Sequence, residues 1–298
     1  MKLLKNISQS PLFEKVVLAS SDQALLSGLG FLISIILIKT VSKTEYGYYS
    51  ITMPILLFFV SIQNAIVNTP LTVLLSEKKD DERKTYLASL CYGQFMIILP
   101  AVFVGLLFAL LLTCFGFDSI KTSLIAVLSF SAIGILYREF LRSCFYAEGT
   151  PLKVLKLDIC YIVLMLVFIA FQYFVLIINV NWIYINMCVS GLLISLFFYR
   201  NRGWNVEKKS IKESYQENWK LGKWALFGVF VTHIQNYCYI YLLGALLNTV
   251  AVADVSAARL LVMPLVMLRI GWSKIAIPHG SKLRELGQIK NFTENNFI

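Results

Sequence analysis

Two pairs of arginines carry the most informative spacing in this 298-residue chain. Arg138 and Arg142 stand four apart in LYREFLRSCFY, at the end of an apolar run, and so share one face of a helix. Glu139, one position on from Arg138, is expected to face elsewhere. Arg259 and Arg269 stand ten apart in a later apolar run, roughly 80° apart around a helix. A guanidinium is a planar fork of donors that fits the paired oxygens of phosphate groups. The first pair would then form a cationic mouth and the second a cationic cavity wall for an anionic headgroup. Plainer readings stand beside these. Arg138 and Arg142 also fit the basic flank of a membrane span, Arg259 a pair with Asp254 or with headgroups, and Arg269 a side chain snorkelling to the nearer surface.

Ionisable groups at membrane depth are costly, which makes each a functional candidate. Asp22 and Asp158 open apolar runs. Each fits a helix N-terminal acid, a partner for an arginine of the LYREFLRS run, or a sensor of a coupling cation. His233, beside Thr232, Gln235 and Asn236, is either a proton-binding group or a satisfied interior histidine. The neutral amides Gln63, Asn64 and Asn68 are suited to hydrogen-bonding sugar hydroxyls or to bridging helices. Pro54, Pro70, Pro100, Pro264 and Pro278 fall in or beside spans, where they kink helices and free carbonyls.

The chain is 58% hydrophobic and 15% charged, with a mean hydropathy of +0.71. A soluble domain has about 45–50% apolar and roughly 25% charged residues. The composition therefore predicts an all-α, polytopic transmembrane bundle. The formal charge of +10 is accounted for by basic loops and does not imply nucleic acid as a partner. The six cysteines, Cys91, Cys114, Cys144, Cys160, Cys188 and Cys238, form no CxxC and mostly lie in apolar runs, as small buried hydrophobes do. The sequence contains no GxSxG, Walker or HExxH motif, so no enzymatic activity, metal or cofactor is expected. Asp80 and Asp81 lie among lysines and read as a solvated charge run. No cleavable signal peptide is seen, so the first span doubles as the targeting segment.

Eight runs are long enough to cross about 30 Å of hydrocarbon: 22–40, 49–75, 86–113, 120–144, 156–178, 181–199, 220–246 and 251–277. Eighteen Lys and Arg flank one side of this plan, against Lys39, Lys43 and Lys121 on the other. By the positive-inside rule the N-terminus and the larger connectors are cytoplasmic. The Met53-Pro54 pair returns as Met263-Pro264, 210 residues later. Such a return predicts two homologous halves. Residues 1–21 form a basic amphipathic lead-in, 22–200 a six-helix lobe, 201–218 a cytoplasmic connector, and 219–298 two helices of a second lobe with a polar tail. A second lobe of six helices would need four spans more, as expected for a C-terminally truncated chain.

The two-lobe plan, the turn TEYGYYS after span 1 and the stretch VADVSAARLLVMP opening span 8 resemble the polysaccharide-transporter (Wzx-type) flippases. These belong to the multidrug/oligosaccharidyl-lipid/polysaccharide superfamily. The resemblance implies alternating access of two lobes around a central cavity. It also implies transport of undecaprenyl-diphosphate-linked oligosaccharide units across a bacterial inner membrane for O-antigen or lipopolysaccharide assembly. Implied with it are coupling to H+ or Na+, and membrane lipids, a polysaccharide polymerase and chain-length proteins as partners. The residues above carry over as binding candidates (Arg138, Arg142, Arg259, Arg269, Gln63, Asn64, Asn68) and coupling candidates (Asp22, Asp158, His233). The alternatives are a cation-coupled multidrug or small-solute exporter of the same superfamily, and an integral membrane enzyme acting on lipid-phosphate substrates.

Overall fold

A computed structural model describes residues 11–116, 118–175, 178–200 and 208–263. The described residues form an all-α bundle of α1 (Pro11–Thr40), α2 (Lys43–Glu77), α3 (Asp80–Cys114), α4 (Ser119–Ala147), α5 (Pro151–Val175), α6 (Val180–Arg200), α7 (Lys208–Leu246) and α8, described over 249–263. The first seven are long and apolar enough to cross a membrane. The second half of the predicted eighth span, and the polar tail, lie outside the described residues.

Short polar signals end and restart the helices. Ser42 caps α2 by accepting from Glu45 N at 3.2 Å, Asp118 caps α4 by accepting from Ile120 N at 3.0 Å, and Asn179 and Asn248 do the same for α6 and α8. Between α4 and α5, Gly149 takes φ +70° and donates to Tyr146 O, while Thr150 N reaches back to Phe145 O. This is the glycine-terminated hydrogen-bond pattern that closes a helix, and Pro151 opens the next one with an amide that needed no partner. Two predicted boundaries move. The lead-in joins span 1, since α1 already runs from Pro11. The connector from Lys208 onward is the first turns of α7, because its polar residues find partners on α2 and α3 described below.

α4 sits at the centre. Its Gly134 lies against Cys188 and Gly191 of α6 so closely that an added Cβ would fall 2.2 Å from Cys188 O. Small residues let membrane helices approach backbone to backbone. Phe140, Leu141 and Cys144 of α4 are fully buried, packed with residues of α2, α3 and α5. α7 runs antiparallel to α2 along its whole length, from Glu217 beside Lys78 to Gly244 beside Ile51. We call the end that carries the α2–α3 and α4–α5 turns the basic end, and the other the far end.

Candidate functional site

Near the basic end, α1, α4 and α5 enclose five charged side chains. Arg138, Arg142 and Tyr146 recur every four residues on α4 and face Asp22 of α1 and Asp158 of α5. Arg142 donates from Nε to Asp158 Oδ2 at 2.6 Å, from Nη1 to Glu139 Oε2 at 2.7 Å and from Nη2 to Asp22 Oδ2 at 2.8 Å. Tyr146 OH adds a second donor to Asp22 Oδ2 at 2.9 Å. Arg138 donates to Glu139 Oε1 at 2.7 Å, lies 3.9 Å from Asp158 Oδ1, and rests its guanidinium 3.9 Å from the centre of the Tyr161 ring. Asp22 and Asp158 are completely buried.

This arrangement revises three expectations. Arg138 and Arg142 are not an open cationic mouth, because carboxylates occupy them. Glu139 does not face elsewhere; it bridges both arginines. Asp22 and Asp158 are arginine partners rather than helix-opening acids: α1 and α5 both begin well before them. The Glu139–Arg142 spacing of three was the available signal for the missed bridge. Tyr146 and Tyr161 carried none. Three carboxylates face two guanidinium groups, so the cluster holds one acid more than its cations can neutralise. Asp22 Oδ1 and Asp158 Oδ1 accept no hydrogen bond, and Arg138 Nε and Nη1 donate none.

The three amides lie at a break in α2. Residues Asn64–Asn68 form a π-helical turn, with Thr69 N bonding back to Asn64 O. Pro70 follows; lacking an N–H and crowding the carbonyl four residues earlier, it forces such a register shift. Asn68 Nδ2 donates to Asn64 Oδ1 at 2.6 Å, while Asn68 Oδ1 is buried and accepts no hydrogen bond. Gln63 Nε2 donates to Leu136 O of α4 at 2.9 Å and to Gln94 Oε1 of α3 at 3.3 Å. Of the two readings offered for these amides, bridging is the one seen for Gln63.

α7 docks onto that break. Asn218, fully buried, donates from Nδ2 to Val67 O at 3.3 Å and receives the Tyr86 hydroxyl on Oδ1. Gly222 lies on the turn itself, where a Cβ would meet Ala65 O at 2.6 Å. Lys78 and Glu217 pair at 2.9 Å, Ser89 and Ser210 bond at 2.9 Å, and Tyr215 OH donates to Leu90 O. The connector residues were legible only as polar; their docking partners were not.

Toward the far end, α7 and α8 present a different surface. Arg259 is exposed. Its Nη1 donates to Tyr239 OH at 2.8 Å and its guanidinium lies 5.8 and 5.9 Å from the ring centres of Tyr237 and Tyr239. Among the described residues no carboxylate pairs with it; Asp254, the expected partner, is held by Lys43 at 3.0 Å. His233, only partly buried, shares a 3.1 Å hydrogen bond with Tyr241 OH and packs 4.5 Å from the Phe58 ring centre. Arg269 lies outside the described residues. The two stretches that carried the resemblance share one apolar cluster here, Tyr46 and Tyr49 of TEYGYYS with Ala253 of VADVSAARLLVMP; Gly47 abuts Thr249 O just before the second stretch, and Glu45 accepts from Val180 N at the start of α6.

Fold and site together define an α-helical membrane bundle with one buried charge cluster carrying a surplus carboxylate and one exposed, tyrosine-mounted arginine. No family model and no curated protein matches the chain. A solved structure described as "protein A" superposes with a TM-score of 0.62 at 15% identity, over 91% of this chain and 65% of that one. The likeness is one of fold, and this chain corresponds to less than two thirds of that protein's length.

Proposed function

We propose that the chain works as a flippase, or the larger part of one, for lipid-linked oligosaccharides. In this reading it moves undecaprenyl-diphosphate-linked repeat units across a bacterial inner membrane by alternating access. The basic end is cytoplasmic and the far end faces outward. One observation carries the reading: Arg259 is a cation in an apolar hairpin, exposed and free of any carboxylate among the described residues. A guanidinium held on two tyrosine rings keeps its remaining N–H groups for an anionic ligand. Phosphate oxygens are the anion that a lipid-linked sugar brings to that depth. The neighbouring Gln235 and Asn236, both exposed, are suited to sugar hydroxyls. The Asp22–Asp158 cluster, with its one surplus carboxylate, is the proposed seat of H+ or Na+ coupling. The polymerase and chain-length partners belong to the same reading.

The test is binding followed by transport. The purified chain in nanodiscs is titrated with undecaprenyl-diphosphate oligosaccharide and with undecaprenol. Preference for the diphosphate, reduced about tenfold by Arg259→Ala and partly retained by Arg259→Lys, is the expected result. Equal binding by the alanine variant removes the assignment. Restoration of surface polysaccharide in a flippase-deficient strain is the cellular counterpart.

A further inference from the structure

The charge run SEKKDDERK is split in two by its own helix. Lys78, Asp81, Glu82 and Thr85 line a pocket shared with the first turns of α7. Arg83, Lys84 and Leu87 line a separate groove against the α4–α5 turn. At 3.6 residues per turn, Asp81, Glu82 and Thr85 centre on one side of α3 and Arg83, Lys84 and Leu87 on the other. The acids therefore face α7, and the cations face the groove.

That groove holds about 590 Å³ between the end of α2, the start of α3 and the α4–α5 turn. It is backed by Leu75 and Leu87, both buried. Arg83 Nε donates to Leu75 O at 3.1 Å, which fixes the guanidinium against the wall. Lys15 of α1 reaches the same rim, where a Cβ added to Gly149 would fall 3.4 Å from its Nζ. Lys15, Arg83 and Lys84 thus stand against one lining acid among the described residues, Glu148. No carboxylate of the described residues pairs with Lys15 or Lys84.

The groove opens where the apolar surface ends. Val17, Val73 and Leu152 are each about half exposed. They lie only two or three residues from Lys15, Ser76 and Gly149 at the rim. Exposed valine and leucine belong in the hydrocarbon, and lysine heads one turn away belong in the headgroup layer. The anion always present at that level is the phosphate of a membrane lipid. Basic pockets between helix ends take such headgroups.

We propose that this groove binds the headgroup of an anionic phospholipid, with its phosphate between Lys15 and Lys84 and its acyl chains running along Val73 and Leu152. The inference rests on the membrane bundle and not on the flippase reading.

The test is native mass spectrometry of the purified chain in non-ionic detergent, titrated with phosphatidylglycerol and with phosphatidylcholine of the same acyl chains. Phosphatidylglycerol should be retained well above phosphatidylcholine. Lys15→Gln and Lys84→Gln should each weaken the anionic lipid about fivefold, the effect of one cation at a charged lipid surface, and leave phosphatidylcholine unchanged. Lys212→Gln removes the same charge from α7 and should change neither. All three lysines are exposed, so these variants keep the fold. Equal retention of the two lipids would overturn the proposal. So would an equal loss in Lys212→Gln, which would mean diffuse attraction to the whole basic end. Displacement by millimolar inorganic phosphate would assign the groove to the free anion instead. Tighter retention of undecaprenyl diphosphate, lost in the same two lysine variants, would assign it to the transported lipid and equally overturn the proposal.

Discussion

Arg142 and Arg259 are the same chemical group put to opposite uses. Arg142 is ringed by Asp22, Glu139 and Asp158, so its charge is consumed inside the protein. Removing one partner of a buried ion pair costs about 3–5 kcal/mol, because the other charges stay behind uncompensated. Arg142→Met leaves three carboxylates against one guanidinium and should lower the thermal unfolding midpoint sharply. Asp158→Asn goes the other way. It leaves two carboxylates against two cations and keeps an acceptor for Arg142 Nε, so the loss should be far smaller. Unfolding of both variants in the same detergent checks the ordering; equal losses would mean that charge balance is not what matters. Arg259→Ala, at an exposed position, should change stability by no more than about 0.5 kcal/mol while weakening anion binding. Spacing on α4 was enough to place Arg138 and Arg142 on one face. That the face would meet two acids lying 16 and 120 residues from Arg142 was one open alternative among three.

At the scale of elements, the break in α2 and the first turns of α7 form one device. Pro70 disrupts the helix, the π-helical turn absorbs the disruption, and Asn218 takes up a carbonyl at that turn. Gly222 then lets α7 lie on the exposed backbone. Asn218→Leu strands Val67 O and the Tyr86 hydroxyl in an apolar contact, at about 1–3 kcal/mol for each group left unsatisfied. Gly222→Leu puts side-chain atoms into the Ala65–Ile66 backbone and should separate α7 from α2. Disulfide trapping between cysteines placed at Lys78 and Glu217 reads that separation: efficient in the parent, slow in the glycine variant. The prolines and the small residues were visible in the sequence as breakers. Which carbonyl they would free, and which amide would claim it, depended on the rotation of a helix that starts 140 residues later.

For the whole molecule, the far end is closed by backbone contact more than by charge. Lys43 and Asp254 are mostly exposed, 71% and 59% by side chain. A pair so open to solvent is worth about 0–1 kcal/mol, and Lys43→Glu should barely alter unfolding. Gly47, by contrast, leaves no room beside Thr249 O, and Gly47→Val should part the α1–α2 turn from the α7–α8 turn. Accessibility of a cysteine at Thr249 to a water-soluble maleimide measures that opening. Hydropathy and length sufficed to show that this chain folds into long apolar helices, and the polar caps marked where most of them begin. Those properties follow from each segment's own side chains and backbone. The pairing of charges and the docking of the connector onto α2 were decided by tertiary structure alone. A helix's periodicity places residues around its own axis, but its rotation against its neighbours is chosen by the packing of all of them at once.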